Sequence, residues 1–151
     1  MKRIKLFILT ILLVTSGLGA IYGIIFYEIS NVPMFSYWNV AGYDPGDPVR
    51  LSKDEFKEMY IVADAPFDIT EFKVKAKIRM YGVDVEYPLP ETWYKLDEQS
   101  LPITKGEEIH CRLNFTIIKA IPSGIDAILA LTFYGQDNLV IAGGAATFYI
   151  E

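Results

Sequence analysis

From residue 72 to residue 80 the chain alternates without exception: Phe72, Val74, Ala76, Ile78 and Met80 are apolar, and Lys73, Lys75, Lys77 and Arg79 between them are cationic. A period of two sorts apolar and charged side chains onto separate faces only when the backbone is extended; a helix would scatter both sets around its axis. This stretch is therefore a strand with one wet face, and its other face needs a second apolar layer to cover it. Residues 109–117 repeat the pattern, with Ile109, Cys111, Leu113, Phe115 and Ile117 facing in and His110, Arg112, Asn114 and Thr116 facing out.

Two further stretches, residues 125–134 and 139–150, are apolar on both faces and are separated by Gly135-Gln136-Asp137-Asn138, a turn-rich quartet that suits a hairpin. Shorter strand candidates are residues 48–51, 59–63 and 83–87, with Pro88, Pro90, Pro102 and Pro122 falling at loops or edges. Residues 53–57 have room for a single helical turn. Gly143-Gly144, inside an apolar stretch and with no following helix, marks a bulge or a close backbone approach instead of a phosphate cradle. The 10 Tyr and 9 Phe favour pleated surfaces, and 151 residues suffice for one domain and a short targeting segment. About seven short strands with turns between them read as an all-β sandwich.

The N-terminus has the grammar of a leader. Lys2, Arg3 and Lys5 precede an apolar run over residues 6–14, and Thr15-Ser16-Gly17-Leu18-Gly19-Ala20 follows with small residues and Ala20 at a cleavage position. This predicts a signal peptide over residues 1–20. The apolar stretch continues through Tyr27, however, so residues 6–27 give 22 uncharged positions, enough to span a bilayer as an anchor. Either way the basic residues stay cytosolic and the rest is exported, to the outside or to an endomembrane lumen such as a lysosome or vacuole. Asn114-Phe115-Thr116 is a glycosylation acceptor, which makes Asn114 a candidate glycan site in a secreted glycoprotein.

Without residues 1–20 the chain keeps eleven basic against nineteen acidic side chains, about −8. That balance excludes nucleic acid as a partner, because phosphate contacts need clustered Lys and Arg. It also limits membrane contact to a transient one through a local basic strip. The only histidine, His110, sits on a wet strand face, where no Ser-His-Asp or Cys-His arrangement forms around it. Acidic pairs such as Asp44/Asp47, Asp54/Glu55 and Glu107/Glu108 read as solvated turn residues. The single cysteine, Cys111, allows neither a disulfide within the chain nor a thiolate metal cluster. The sequence predicts no enzyme, no metal and no cofactor, and a monomer.

Three ordered segments resemble the ML lipid-recognition family, whose members include the lysosomal sterol carrier of the Niemann-Pick type C pathway and the phosphatidylglycerol/phosphatidylinositol transfer proteins. Ala41-Gly42-Tyr43-Asp44-Pro45-Gly46-Asp47-Pro48-Val49 is similar to the family's opening Cys-Gly-Asp-Pro-Ser-Asp-Pro-Val. Gly82-Val83-Asp84-Val85-Glu86-Tyr87-Pro88-Leu89-Pro90 resembles the sterol carrier's Gly-Val-x-Val-x-Phe-Pro-Ile-Pro. Leu101-Pro102-Ile103-Thr104-Lys105-Gly106, followed by Ile121-Pro122-Ser123-Gly124, matches Cys-Pro-Ile-x-Lys-Gly and Ile-Pro-Ser-Gly. Ala41 and Leu101 stand where the family carries half-cystines.

The resemblance implies an immunoglobulin-like β-sandwich over residues 36–151 whose sheets part at one end to admit a lipid, either a sterol or a phospholipid. The alternation supplies the candidate walls: Ile78, Met80, Val83, Val85, Tyr87, Leu113, Phe115, Ile117, Leu131, Phe133, Phe148 and Ile150. The family's Val-x-Phe, which lines the sterol pocket, falls here on Val85 and Tyr87. The competing expectation is a membrane-anchored immunoglobulin-like adhesion or assembly module with a closed core and no lipid cargo.

Overall fold

The structure is a computed structural model that describes residues 24, 26–43 and 49–151. The leader over residues 1–20, the Asp44/Asp47 pair and part of the first family-like segment lie outside the described residues.

Nine strands are formed among the described residues: β1 (Tyr37–Val40), β2 (Arg50–Leu51), β3 (Lys57–Asp64), β4 (Lys73–Met80), β5 (Val83–Tyr87), β6 (Tyr94–Leu96), β7 (Glu108–Phe115), β8 (Ile125–Tyr134) and β9 (Val140–Ile150). They build a sandwich of a four-stranded sheet, β1-β3-β7-β6, on a five-stranded sheet, β2-β9-β8-β4-β5. All strand pairings are antiparallel except the short β2–β9 contact. The two strands beyond the expected seven are β1 and β6, whose four and three residues are too few to carry a periodic signal, while β2 falls inside the candidate at residues 48–51.

The alternation in β4 behaves as its chemistry demands. Val74, Ala76 and Ile78 are buried while Lys73, Lys75 and Lys77 are exposed. In β7, Ile109, Cys111, Leu113 and Phe115 are buried against the opposite sheet. β4 and β5 are joined by Tyr81-Gly82, both with positive φ (51° and 76°), the paired left-handed conformation whose twist matches a two-residue hairpin. At the β8–β9 turn, Asp137 and Asn138 also take positive φ, which their short polar side chains tolerate. The expected helical turn at residues 53–57 does not form, because Lys57 is drawn into the β3–β7 ladder opposite Phe115.

Residues 24 and 26–35 precede the first strand and belong to the same body. Ile24, Phe26 and Phe35 are almost completely buried. Tyr27 and Ala145 exchange both backbone hydrogen bonds (2.9 and 3.0 Å), Phe35 N–H donates to Gly143 (3.0 Å), and Gly143 N–H donates to Pro33 (2.8 Å). Residues 27–35 thus cover the free edge of β9, while Ser36 N–H and Ile24 N–H donate to Val62 and Trp38 of the other sheet. Gly143-Gly144 makes this possible. A Cβ on Gly143 would lie 2.9 Å from the Leu131 carbonyl oxygen and 3.0 Å from Val32 Cγ1; one on Gly144 would lie 2.9 Å from Phe35 Cδ2. The pair is a close backbone approach, one glycine on each face of β9, and it explains why this strand reads as apolar on both sides.

Candidate functional site at the β5 flank

The two sheets meet at two flanks. One lies between β9 and β1 and is closed by residues 24 and 26–35. The other lies between the edge strands β5 and β6, and it is lined differently. The β4–β5 register sets Met80 opposite Val83, Ile78 opposite Val85 and Ala76 opposite Tyr87. Directly opposed residues share a face, so Val83, Val85 and Tyr87 point to the inner side with Ile78. Yet Val83 is 60% exposed and Val85 42%, where Ile78 is 1% exposed. The inner face of β5 therefore overhangs the opposite sheet and leaves an apolar ledge in water.

Tyr87 ends that ledge. Its hydroxyl donates to the Thr116 carbonyl (2.5 Å) and accepts from the Ile118 N–H (2.9 Å), fastening β5 to the chain leaving β7. Burial pushes the Tyr87 phenol above its ordinary value, with the Ile118 amide pulling it the other way. The ring packs on Phe115 (centroids 5.0 Å) and Trp93 (6.5 Å), and Phe56, 55% exposed, stands edge-on to Trp93 at 5.3 Å. Phe56 and Trp93 were missed in the sequence because each sits just outside a strand, where no periodicity marks it.

The other sequence-predicted walls separate into two groups. Ile78, Leu113, Phe115 and Ile117 are buried in the common core, as are Leu131, Phe133, Phe148 and Ile150. Met80 is half-buried against them. Val83 and Val85, by contrast, are exposed. Three depressions, of about 450, 620 and 380 Å³, lie on the outer face of the five-stranded sheet, on that of the four-stranded sheet and near Val49 and Glu151. None of these three is between the sheets, where Phe26, Phe35, Trp38, Phe133 and Phe148 fill the interior.

Asn114 is exposed on the outer face of the four-stranded sheet, opposite Glu58. On the same face His110 stacks on Tyr60 and shares a hydrogen bond with its hydroxyl through Nδ1. Arg112 lies over the Tyr60 ring and pairs with Glu58 and Asp97. These side chains are engaged with one another. No three His, Cys, Asp or Glu among the described residues could hold a metal ion together. Cys111 is buried and free, its thiol pushed up to about 12 by burial, with no reactive thiolate near neutral pH.

No protein-family model matches the sequence, and no curated protein matches it. The fold does have solved counterparts. A Niemann-Pick type C2 protein from Japanese carpenter ant superposes with a TM-score of 0.70 at 21% identity, over 85% of this chain and 100% of that one. The chain thus has the immunoglobulin-like sandwich of that protein. With Cys111 as its single cysteine, the chain forms this fold without an internal disulfide. No helix among the described residues is long and apolar enough to cross a membrane.

Proposed function

We propose that this chain is an exported carrier that holds a lipid between its sheets, loaded through the β5 flank. The observation that carries the reading is the ledge of Val83 and Val85, apolar, inward-directed and wet. Fully burying such a side chain is worth roughly 1.5–3 kcal/mol, so an apolar guest that covers the ledge gains part of that energy. The likeness of the fold to a Niemann-Pick type C2 protein supports it further.

The physical task is shielding. At about 0.8 kcal/mol per methylene, a chain of about 16 carbons costs on the order of 12 kcal/mol to expose to water, which makes spontaneous exit from a bilayer slow. An interior of similar polarity brings bound and membrane states close in free energy, and exchange needs neither ATP nor a covalent step. The described conformation is then the unloaded one. Tyr87 must release Thr116 and Ile118 for the flank to part, while the cationic strip Lys73, Lys75, Lys77 and Arg79 on the outer face of β4 gives brief contact with anionic membranes. In this reading the leader is removed near Ala20, Asn114 carries a glycan, the carrier is a monomer and it catalyses no reaction.

The filled interior favours a second reading, a closed sandwich that binds protein through its outer faces while anchored in a membrane. Against the anchor, Ile24 and Phe26 lie in the core, which shortens the apolar stretch left for a span from 22 residues to 18, at the short end for crossing a bilayer.

Transfer of fluorescent sterol and phosphatidylglycerol between vesicles separates the two. The carrier reading requires transfer by the wild type and its loss in Val85→Arg or Tyr87→Asp, each of which sets an unpaired charge in the passage. A wild type that transfers neither lipid belongs to the second reading.

A further inference from the structure

β8 carries apolar side chains on both of its faces, and the core accounts for only one of them. Ala127, Leu129, Leu131 and Phe133 are buried between the sheets, while Ile128, Ala130 and Thr132 alternate with them on the outer face, half-buried. A strand apolar on both sides belongs where both sides are covered. Partial cover comes from the segment before β1: Val32 Cγ1 and Ile29 Cδ1 lie 3.0 and 3.2 Å from where a Gly143 Cβ would stand, on the outer side of β9. Between that apolar wall and β4, the small residues Ala130, Thr132 and Ala145 leave a depression of about 450 Å³ in the sheet, within the range of small-molecule sites.

The wall on β4 is cationic. The register places Lys77 beside Ala130 and Ala145, and Lys75 beside Thr132 and Gly143, so each row crosses the sheet from an ammonium to Ile29 and Val32. Arg79 is engaged, gripping Asp84 with two hydrogen bonds of 2.7 and 2.8 Å. Lys73, Lys75 and Lys77 form no ion pair among the described residues. The Lys75 ammonium rests over the Tyr134 ring, 4.9 Å from its centroid. In a chain with nineteen acidic and fourteen basic side chains, these three neighbouring cations are a local reversal of charge. Asp84 and Glu86 stand on β5, beyond the lysines, and repel an anion from that side. A negative group is therefore held on the β8 side, next to the apolar floor.

We propose that this outer depression is a binding site of its own, outside the sandwich, for a water-borne amphipathic monocarboxylate. The carboxylate pairs with the Lys75 and Lys77 ammoniums, whose stems lie along the apolar body of the ligand. That body covers Ala130 and Ala145 and ends against Ile29 and Val32. Strand spacing sets its length. From β4 to β9 there are two spacings, roughly 9–10 Å, and a zigzag chain of about eight carbons at about 1.5 Å per bond covers that distance. Such a ligand is short enough to stay dissolved, unlike the long-chain cargo of the carriage reading, on which this site does not depend.

Methyl NMR of the whole protein with labelled alanines and millimolar octanoate reads the two faces separately. Ala130 and Ala145 report the outer depression, while the buried Ala127 and Ala146 report the interior. Octanoate should shift Ala130 and Ala145 saturably. Octanol, which lacks the charge, should bind at least tenfold more weakly, as should octanoate to the Lys75→Gln/Lys77→Gln protein. Ala130→Leu, which fills the floor, should abolish the shift of Ala145. If octanoate leaves Ala130 and Ala145 unmoved, or moves them equally in the double glutamine variant, the inference falls and carriage is untouched. It falls equally if those methyls respond to phosphatidylglycerol vesicles and not to octanoate, which would make the face a membrane contact. A response to protein concentration alone would make it an interface between two copies and also overturn the site.

Discussion

The two flanks of the sandwich are shut by opposite means. Between β9 and β1, residues 26–35 push Phe26 and Phe35 into the interior and satisfy the edge of β9 with backbone hydrogen bonds, a closure made of buried apolar bulk. Between β5 and β6, closure depends on the Tyr87 hydroxyl and its two hydrogen bonds, with Val83 and Val85 left in water outside it. One closure is strong, the other thin. The difference teaches where such a sandwich opens first: at the side whose loss exposes little that is not exposed already.

The sharpest way to break this comparison is to truncate an equivalent apolar residue on each side. Phe35→Ala should cost about 3–5 kcal/mol in denaturant unfolding, since a ring with no exposure is replaced by a cavity, whereas Val83→Ala should stay within about 0.5 kcal/mol. Equal losses at the two sites would erase the distinction. Next in size is Gly143→Ala, whose methyl meets the Leu131 carbonyl at 2.9 Å and the tips of Val32 and Ile29; a loss of about 1–3 kcal/mol is expected, with exchange at Tyr27 and Phe35 quickened. A neutral outcome would mean that the clasp on β9 is not tight.

Tyr87→Phe comes third. It removes the two hydrogen bonds of the thin flank while keeping the ring on Phe115, and should cost about 1–2 kcal/mol and accelerate lipid uptake. Unaltered uptake kinetics would show that the hydroxyl is not what holds the flank shut.

The smallest effect is a pH dependence. Cys111 is neutral in the folded core with its thiol raised from 9.0 to about 12, so its contribution to stability is fully present below pH 9 and is lost as pH rises from there towards 12. Tyr87, also raised by burial, loses its contribution on the same alkaline side. Urea midpoints should therefore hold steady up to about pH 9 and decline above it, with Cys111→Ala shallower than the wild type. A decline that begins near neutrality would contradict the burial of the thiol.

How much of this was legible in the sequence follows from the reach of a two-residue period. β4 and β7 could be read because their side chains alternate over eight residues, and β8 and β9 because two apolar runs flank a turn-rich quartet. β1 and β6 could not, because four and three residues carry no period, and their places are set by pairing with β3 and β7. Alternation with Asp84 and Glu86 sets Val83 and Val85 on one face of β5, but says nothing of whether the opposite sheet extends far enough to cover them. Phe26 was hidden more thoroughly. It sits at the end of a run that also has leader character, and apolar residues needed by a membrane and by a core look alike until the fold assigns them.

Carriage depends on the thin flank admitting a guest to the interior. Native mass spectrometry of the purified protein, followed by extraction and identification of what it releases, addresses this without any assumption about the cargo. The expected result is a chain heavier than the covalent protein measured under denaturing conditions by the mass of one lipid, and no such excess in Val85→Arg. A wild type that repeatedly arrives empty, and remains so after incubation with vesicles, would contradict it.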